Sequence, residues 1–465
     1  MRAARLRQIV CVSIIFIFKF SIFNSAHAQQ WWTGWSQQTS LALCIHQTDS
    51  SYEVYSPLQT SDPIPVSKWS LRNDTLRLNC GSIGLKMTLV RQDSLWVGNW
   101  RQGILKEDIT FLPADTLYQL RRPQTPQPPY RFDEETVSVD YTDSQGNLIH
   151  LEGTLTYPKG GGKYPTLLLV SGSGQQNRDE ELFFHRPFLV LADYLASRGI
   201  AVLRYDDRGV GASTGPVDSA DTHLFAEDAE ALFNTLKTNP HVDPSHLGIG
   251  GHSEGGAIAP IVASRNKDVR FVVMLAGQGC TGLDVLLQQN EALYFRVSQK
   301  LLAVRTACMR DLFNLAIISN HSATQSPSHS VTLKDYQAVI LRHTEGLSPE
   351  QIDSIGLKKG VAYSFKQQMD TRWMRTFLTL DPADYLPKVK CPVLALNGSK
   401  DCQILPSPNL DRIHQLCPQA VCRQLQNLNH LFQRCQTGSP DEYVQIEETI
   451  YPWVMETIAD WILGI

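Results

Sequence analysis

LGIGGHSEGGAIAPI, residues 247–261, is an apolar run that ends in GHSEG and passes at once into small helix-forming residues. The pattern predicts a strand, a tight turn and a helix, with Ser253 carried on the turn as a nucleophile. Such a turn holds its serine in strained backbone geometry, and side chains at positions 251 and 255 would collide with neighbouring backbone, so glycine at both is a steric requirement. The turn also puts the backbone N–H of Glu254 at a helix N-terminus, where it can donate to a developing oxyanion.

A serine nucleophile needs a histidine to take its proton and a buried carboxylate to orient that histidine. For a nucleophile on a strand-to-helix turn the chain order is serine, acid, histidine. Asp401 follows the apolar strand PVLALNG, and His430 follows the next predicted strand in NLNHLF. Both would lie at the carboxyl ends of strands, on the edge that carries Ser253. Asp381 and Asp384 are the alternative acids, but neither directly ends a strand. His252 adjoins Ser253 and should point away from it; His223, His241 and His246 precede the serine. A second oxyanion donor is expected from SGSGQQ, residues 171–176, after the first long parallel strand, with the Ser173 amide beside that of Glu254. RDEE, residues 178–181, and the Glu254 side chain read most simply as solvated positions.

Outward from this centre, residues 133–465 alternate strands and helices, the signature of a largely parallel sheet. TVSVDYT and HLEGTLTYP predict an opening hairpin, followed by strands in TLLLV, IAVLRY, HLGIGG, FVVML, PVLALN and VCRQL. About 110 residues of helical periodicity, 280–390, are too long for a simple connection and predict a helical cap inserted over the site. Part of it, 318–330, is polar and expected to be mobile. RPQTPQPPYRF, residues 122–132, reads as a semi-rigid linker. Before it, residues 29–121 alternate short apolar and polar runs such as TLRLNC and LWVGNW, predicting a small antiparallel β domain. Its tryptophans 31, 32, 35, 69, 96 and 100 are expected mainly in its core, with a substrate-binding platform as the alternative.

The N-terminus reads as a targeting segment: Arg2, Arg5 and Arg7, an apolar run over 9–23, and the A-x-A site Ala26-His27-Ala28. Residues 1–28 are therefore expected to be removed, giving an exported, periplasmic or extracellular protein with no stable membrane insertion. With 465 residues, 42% hydrophobic, and a net charge of −4, the chain has ample core and no basic field for nucleic acid. Cys44 and Cys80 could bridge, or sit as buried thiols. Cysteine spacing gives no zinc signature, and SGSGQQ lacks a Walker lysine or a spaced G-x-G-x-x-G, so neither metal nor cofactor is expected.

SGSGQQNRDEE, RYDDRGVGASTG, GHSEGG, NGSKD and LNHLFQ together resemble the α/β-hydrolase superfamily, and more narrowly bacterial exported esterases and serine-aminopeptidase-like hydrolases. IPVSKWSLRNDTLRL and GNWRQG resemble the β domain that precedes the hydrolase in that group. The resemblance implies an α/β-hydrolase fold with a helical cap and a Ser253, Asp401, His430 triad. It also implies acyl-enzyme hydrolysis of a small-molecule carboxylic ester. An exported serine aminopeptidase acting on short peptides and an inactive binding protein on the same scaffold are the alternatives. Two departures stand out: the oxyanion loop begins Ser171-Gly172 where many hydrolases have histidine-glycine, and Cys402 adjoins the acid.

Overall fold

The computed structural model describes residues 30–36, 42–57, 63–103, 105–117, 121–325, 331–358 and 360–465. The expected targeting segment, 1–28, lies outside them. The chain divides into two compact units, one reaching Arg122 and including Leu182–Phe184, the other formed by Pro123–Glu181 and His185–Ile465.

In the first unit, β1 (Gln30–Trp35), β2 (Ala42–Gln47), β3 (Tyr52–Tyr55), β4 (Lys68–Arg72), β5 (Thr75–Cys80), β6 (Leu85–Gln92), β7 (Leu95–Gln102) and β8 (Leu105–Ala114) form one sheet. Its order is β3-β2-β1-β8-β7-β6-β5-β4, and the neighbours pair antiparallel. Period-two alternation explains its core: Leu76, Leu78, Leu85, Met87, Leu89, Ile109 and Phe111 all turn to one side. Trp32, Trp96 and Trp100 join that core, whereas Trp35 and Trp69 are exposed. Cys44 and Cys80 are buried without bridging; β1, β8, β7 and β6 separate their strands in the sheet.

The second unit opens with the expected hairpin, β9 (Phe132–Thr142) and β10 (Leu148–Pro158), paired antiparallel. Then follow β11 (Tyr164–Val170), α1 (Pro187–Ser197), β12 (Ala201–Tyr205), α2 (Thr222–Leu236), β13 (Val242–His252), α3 (Gly255–Arg265) and β14 (Val272–Leu275). The cap comprises α4 (Gly282–Leu293), α5 (Gln299–Gln325), α6 (Leu333–Thr344), α7 (Pro349–Ser354), α8 (Val361–Met369) and α9 (Arg372–Thr379). The chain then rejoins the sheet through β15 (Val393–Gly398), α10 (Pro406–Leu416), β16 (Ala420–Leu425) and α11 (Pro452–Leu463). In the polar stretch 318–330 the chain through Gln325 continues α5, and 326–330 lie outside the described residues.

Sheet order is β16-β15-β14-β13-β11-β12-β10-β9, parallel from β16 to β12. A parallel strand covered on both faces should be apolar on both, and β11 is so from Leu167 to Val170. Leu168 and Val170 face the layer of α2, α3 and α10, while Leu167 and Leu169 face α1 and α11. The cap has its own core around Leu312, Phe313, Tyr336, Met369 and Met374.

One buried charge cluster closes the strand edge. The Arg208 side chain is wholly buried and donates to Asp228 at 2.7 and 2.8 Å, Asp143 at 3.1 Å and the Tyr141 hydroxyl at 3.2 Å. It ties the β9–β10 turn to α2. Removing one member of such a network leaves uncompensated buried charge, so Arg208→Ala should destabilise the second unit by about 3–5 kcal/mol, read as a lowered urea midpoint.

Candidate active site

Ser253 adopts φ 55°, the left-handed region that L side chains disfavour. The strain of about 1–3 kcal/mol is offset by fixed surroundings: the Ser253 N–H donates to the Leu275 carbonyl at 2.8 Å, and its own carbonyl accepts from the Gly256 N–H at 2.9 Å. The glycines behave as their sterics require. A Cβ at Gly251 would stand 2.4 Å from the Gly255 carbonyl, and one at Gly255 would stand 2.1 Å from the Val170 oxygen.

Asp401 lies just past β15 and His430 just past β16, both at the carboxyl edge and both buried. Asp401 Oδ1 accepts from the Gln403 and Ile404 amides at 2.8 and 2.9 Å, which leaves Oδ2 for His430 Nδ1 at 2.7 Å. With Nδ1–H committed to the carboxylate, Nε2 is left as the proton acceptor. Asp381 spends its carboxylate on the Ala383 amide at 2.9 Å as a cap, and Asp384 is exposed. The imidazole's carboxylate partner is therefore Asp401. The neighbouring Cys402 thiol donates to the Gly438 carbonyl, and burial pushes it up to about 12, so a thiolate does not compete beside the acid.

The SGSGQQ loop runs against the serine: a Cβ on Gly172 would approach Ser253 Cβ to 3.2 Å. The Gly172 amide is already taken, donating to Glu180 Oε1 at 2.7 Å. Among the described residues neither the Ser173 nor the Glu254 amide has a hydrogen-bond partner. Asp207 clamps the loop from beneath, accepting from Ser171 Oγ at 2.7 Å and the Gln176 amide at 2.9 Å. Burial raises its carboxyl well above the usual range, against the pull of those two donors.

Two expectations are corrected. RDEE is not solvated: Glu180 is buried, Asp179 pairs with buried Arg204, and Arg178 pairs with Asp206 at 2.6 Å and Glu152 at 3.1 Å. These acids satisfy buried cations, which a linear charge count does not reveal. Nor does Glu254 face solvent. It is 4% exposed and accepts from Thr222 Oγ1 at 2.6 Å and from Trp373 Nε1 at 2.8 and 2.9 Å, with a further bond from the Ser173 side chain. Burial raises its carboxyl, and those donors oppose the rise. Trp373 and its neighbour Arg372, which donates to Asp221 at 2.7 Å, are cap residues that sequence reading missed. The large amphipathic swing of RWMRTFLT was their signal.

A concavity of about 640 Å³ beside Val389, Lys390 and Gln419 precedes β15 and β16 and so lies at the opposite edge of the sheet. It holds none of these groups.

The sheet order and the strand-turn-helix at Ser253, with Asp401 and His430 at the carboxyl edge, are those of the α/β-hydrolase fold. Residues 186–340 match the model of the family described as serine aminopeptidase, S33. Esterase EstD of Thermotoga maritima is 28% identical over 255 residues, covering 51% of this chain and 56% of that protein. Polyketide transferase claH of Penicillium crustosum is 30% identical over 116 residues, 23% of this chain and 37% of that one. The chain thus spans little more than half of the first relative's length. Among solved structures, the α/β hydrolase GrgF from Penicillium sp. sh18 aligns with 64% of this chain and 91% of its own at 16% identity and a TM-score of 0.40.

Trp373→Phe keeps an aromatic ring and deletes only the N–H. A buried carboxylate losing one donor costs about 1–3 kcal/mol, so the thermal midpoint should fall measurably. An unchanged midpoint would show that this clasp carries no stability.

Proposed function

We propose that this chain is an exported serine hydrolase that cleaves carboxylic esters through an acyl-enzyme. The observation that carries the reading is the 2.7 Å bond between His430 Nδ1 and Asp401 Oδ2, at the sheet edge where Ser253 sits in a left-handed turn. His430 Nε2 takes the Ser253 hydroxyl proton as Oγ attacks the acyl carbon. Asp401 holds the tautomer and stabilises the imidazolium, and the Ser173 and Glu254 amides receive the oxyanion. Collapse of the tetrahedral intermediate expels the alcohol, which takes the proton from His430. Water then enters by the same route in reverse and releases the acid.

The family description raises aminopeptidase action as a second reading. An enzyme that reads a free N-terminus needs a carboxylate open to the substrate ammonium. Glu254, the carboxylate next to the nucleophile, is instead engaged by Thr222, Trp373 and Ser173, which favours an uncharged ester. The name of the Thermotoga relative agrees with that choice.

Wild-type protein should therefore hydrolyse p-nitrophenyl acetate, react with a fluorophosphonate probe at Ser253, and leave aminoacyl p-nitroanilides nearly untouched. Ser253→Ala should lose ester turnover by at least about 10³-fold. Full activity in that variant would overturn the triad, and faster anilide than ester cleavage would favour the peptidase.

Export rests on the basic start, apolar run and A-x-A site of residues 1–28. Among the described residues no helix is long and apolar enough to cross a membrane. N-terminal sequencing of protein recovered from an exporting host should begin at Gln29; a retained Met1 would refute cleavage.

A further inference from the structure

His252 precedes the nucleophile and takes no part in the proposed proton transfer, yet its ring is buried between Glu180 and the His430 backbone. Its Nδ1 lies 3.0 Å from Glu180 Oε1, and its Nε2 lies 2.9 Å from the His430 carbonyl oxygen. A carboxylate and a backbone carbonyl both accept, and a neutral imidazole carries only one N–H. Both contacts are satisfied together only when the ring carries two protons. The same Glu180 oxygen also accepts from the Gly172 amide at 2.7 Å. One ion pair thus joins the oxyanion loop, the nucleophile turn and the loop that carries the base.

We infer that His252 and Glu180 form a positioning pair: protonated His252 holds the His430 backbone and, through Glu180, the oxyanion loop in the geometry that reaction requires. The inference rests on the triad reading above. His430 itself is fastened to its loop from the other side by Asn429, whose Oδ1 accepts from the Leu431 and Gln433 amides at 3.0 and 2.9 Å. The His252 bond to the carbonyl is the tie from this loop to the nucleophile turn.

The charged and titratable groups facing His252 are Glu180 from the oxyanion side, His430 with ring centroids 4.7 Å away, and Asp401 behind it. Burial disfavours the charged ring most strongly of any one influence, but the Glu180 carboxylate, the His430 carbonyl and Asp401 together outweigh it and raise His252 above the ordinary 6.5. The sign follows directly. Below the raised value the ring keeps both protons, and the pair is lost as pH climbs through it. One proton leaves, one of the two contacts breaks, and the His430 loop loses its tie. Turnover should therefore fall on the alkaline side, in kcat more than in KM, because the reacting groups are displaced while the substrate pocket stays.

The experiment is a kcat–pH profile on p-nitrophenyl acetate for the full chain and two variants, with fluorophosphonate labelling as a count of competent sites. Wild type should show an alkaline limb. Glu180→Gln preserves size and acceptor but removes the charge, so the limb should move down by about 1 pH unit or more, as expected for loss of an opposite charge in contact. His252→Gln keeps one donor and cannot titrate, so the limb should vanish at a lowered plateau. A role confined to folding would scale the whole profile and the labelling count together, leaving the limb in place. An alkaline limb unmoved in Glu180→Gln overturns the inference even if His252→Gln fails to fold, as does a wild type with no limb. Ser253→Ala separates the two readings: if it is dead and the limb does not move, only the positioning pair is wrong; if it is active, the triad itself is wrong.

Discussion

The site depends on a close backbone contact. The end of β11 passes the nucleophile turn so tightly that a single added carbon at Gly255 would sit 2.1 Å from the Val170 oxygen and 2.6 Å from the Ser171 oxygen. This approach sets the oxyanion loop beside Ser253 with no side chain between them. It also explains why the turn can hold a left-handed serine: β11 on one side and the Leu275 carbonyl on the other leave the backbone little room to relax. Strain of this kind persists only where packing over-determines it, and here two parallel strands supply the packing.

Buried charge does the remaining positioning. RYDDRG distributes three consecutive ionisable groups over three tasks. Asp206 pairs with Arg178, Asp207 holds Ser171 and Gln176, and Arg208 pairs with Asp143 and Asp228. Gly211 takes φ 55° directly over Asp206, where a Cβ would meet its carboxylate at 2.4 Å, so the turn after the motif is shaped by the charge it encloses. Each ion pair is costly to desolvate and none is needed for core volume. Their common property is direction: they fasten the loops at the carboxyl edge to strands that cannot move.

The backbone of this arrangement was legible in the sequence because periodicity reports burial. Strands β11 to β16, the hairpin and the inserted helices all follow from apolar runs and their lengths, and GHSEG, Asp401 and His430 follow from position at strand ends. What could not be read was the partner of each polar residue. Glu180 and Glu254 occupy short polar stretches that look solvated in one dimension, and only tertiary packing brings Arg204 to Asp179 or Trp373 to Glu254. The thiols show the same limit from the other side. Cys44 and Cys80 share a domain and a burial class, but strand order, which composition does not encode, puts four strands between theirs.

Glu254 also bears on how the cap relates to catalysis. A carboxylate at the first turn of α3 is favoured by the helix dipole, while burial opposes its charge. The donors that resolve this conflict come from α2, from the oxyanion loop and from the cap helix α9. A second seam lies beside the acid: Val285 of α4 and Phe377 of α9 pack on Ile404, whose amide donates to Asp401. The cap is thus joined to the hydrolase core at the residue after the nucleophile and at the residues that orient the acid. A displacement of α9 would therefore disturb both seams, one beside Ser253 and one beside Asp401.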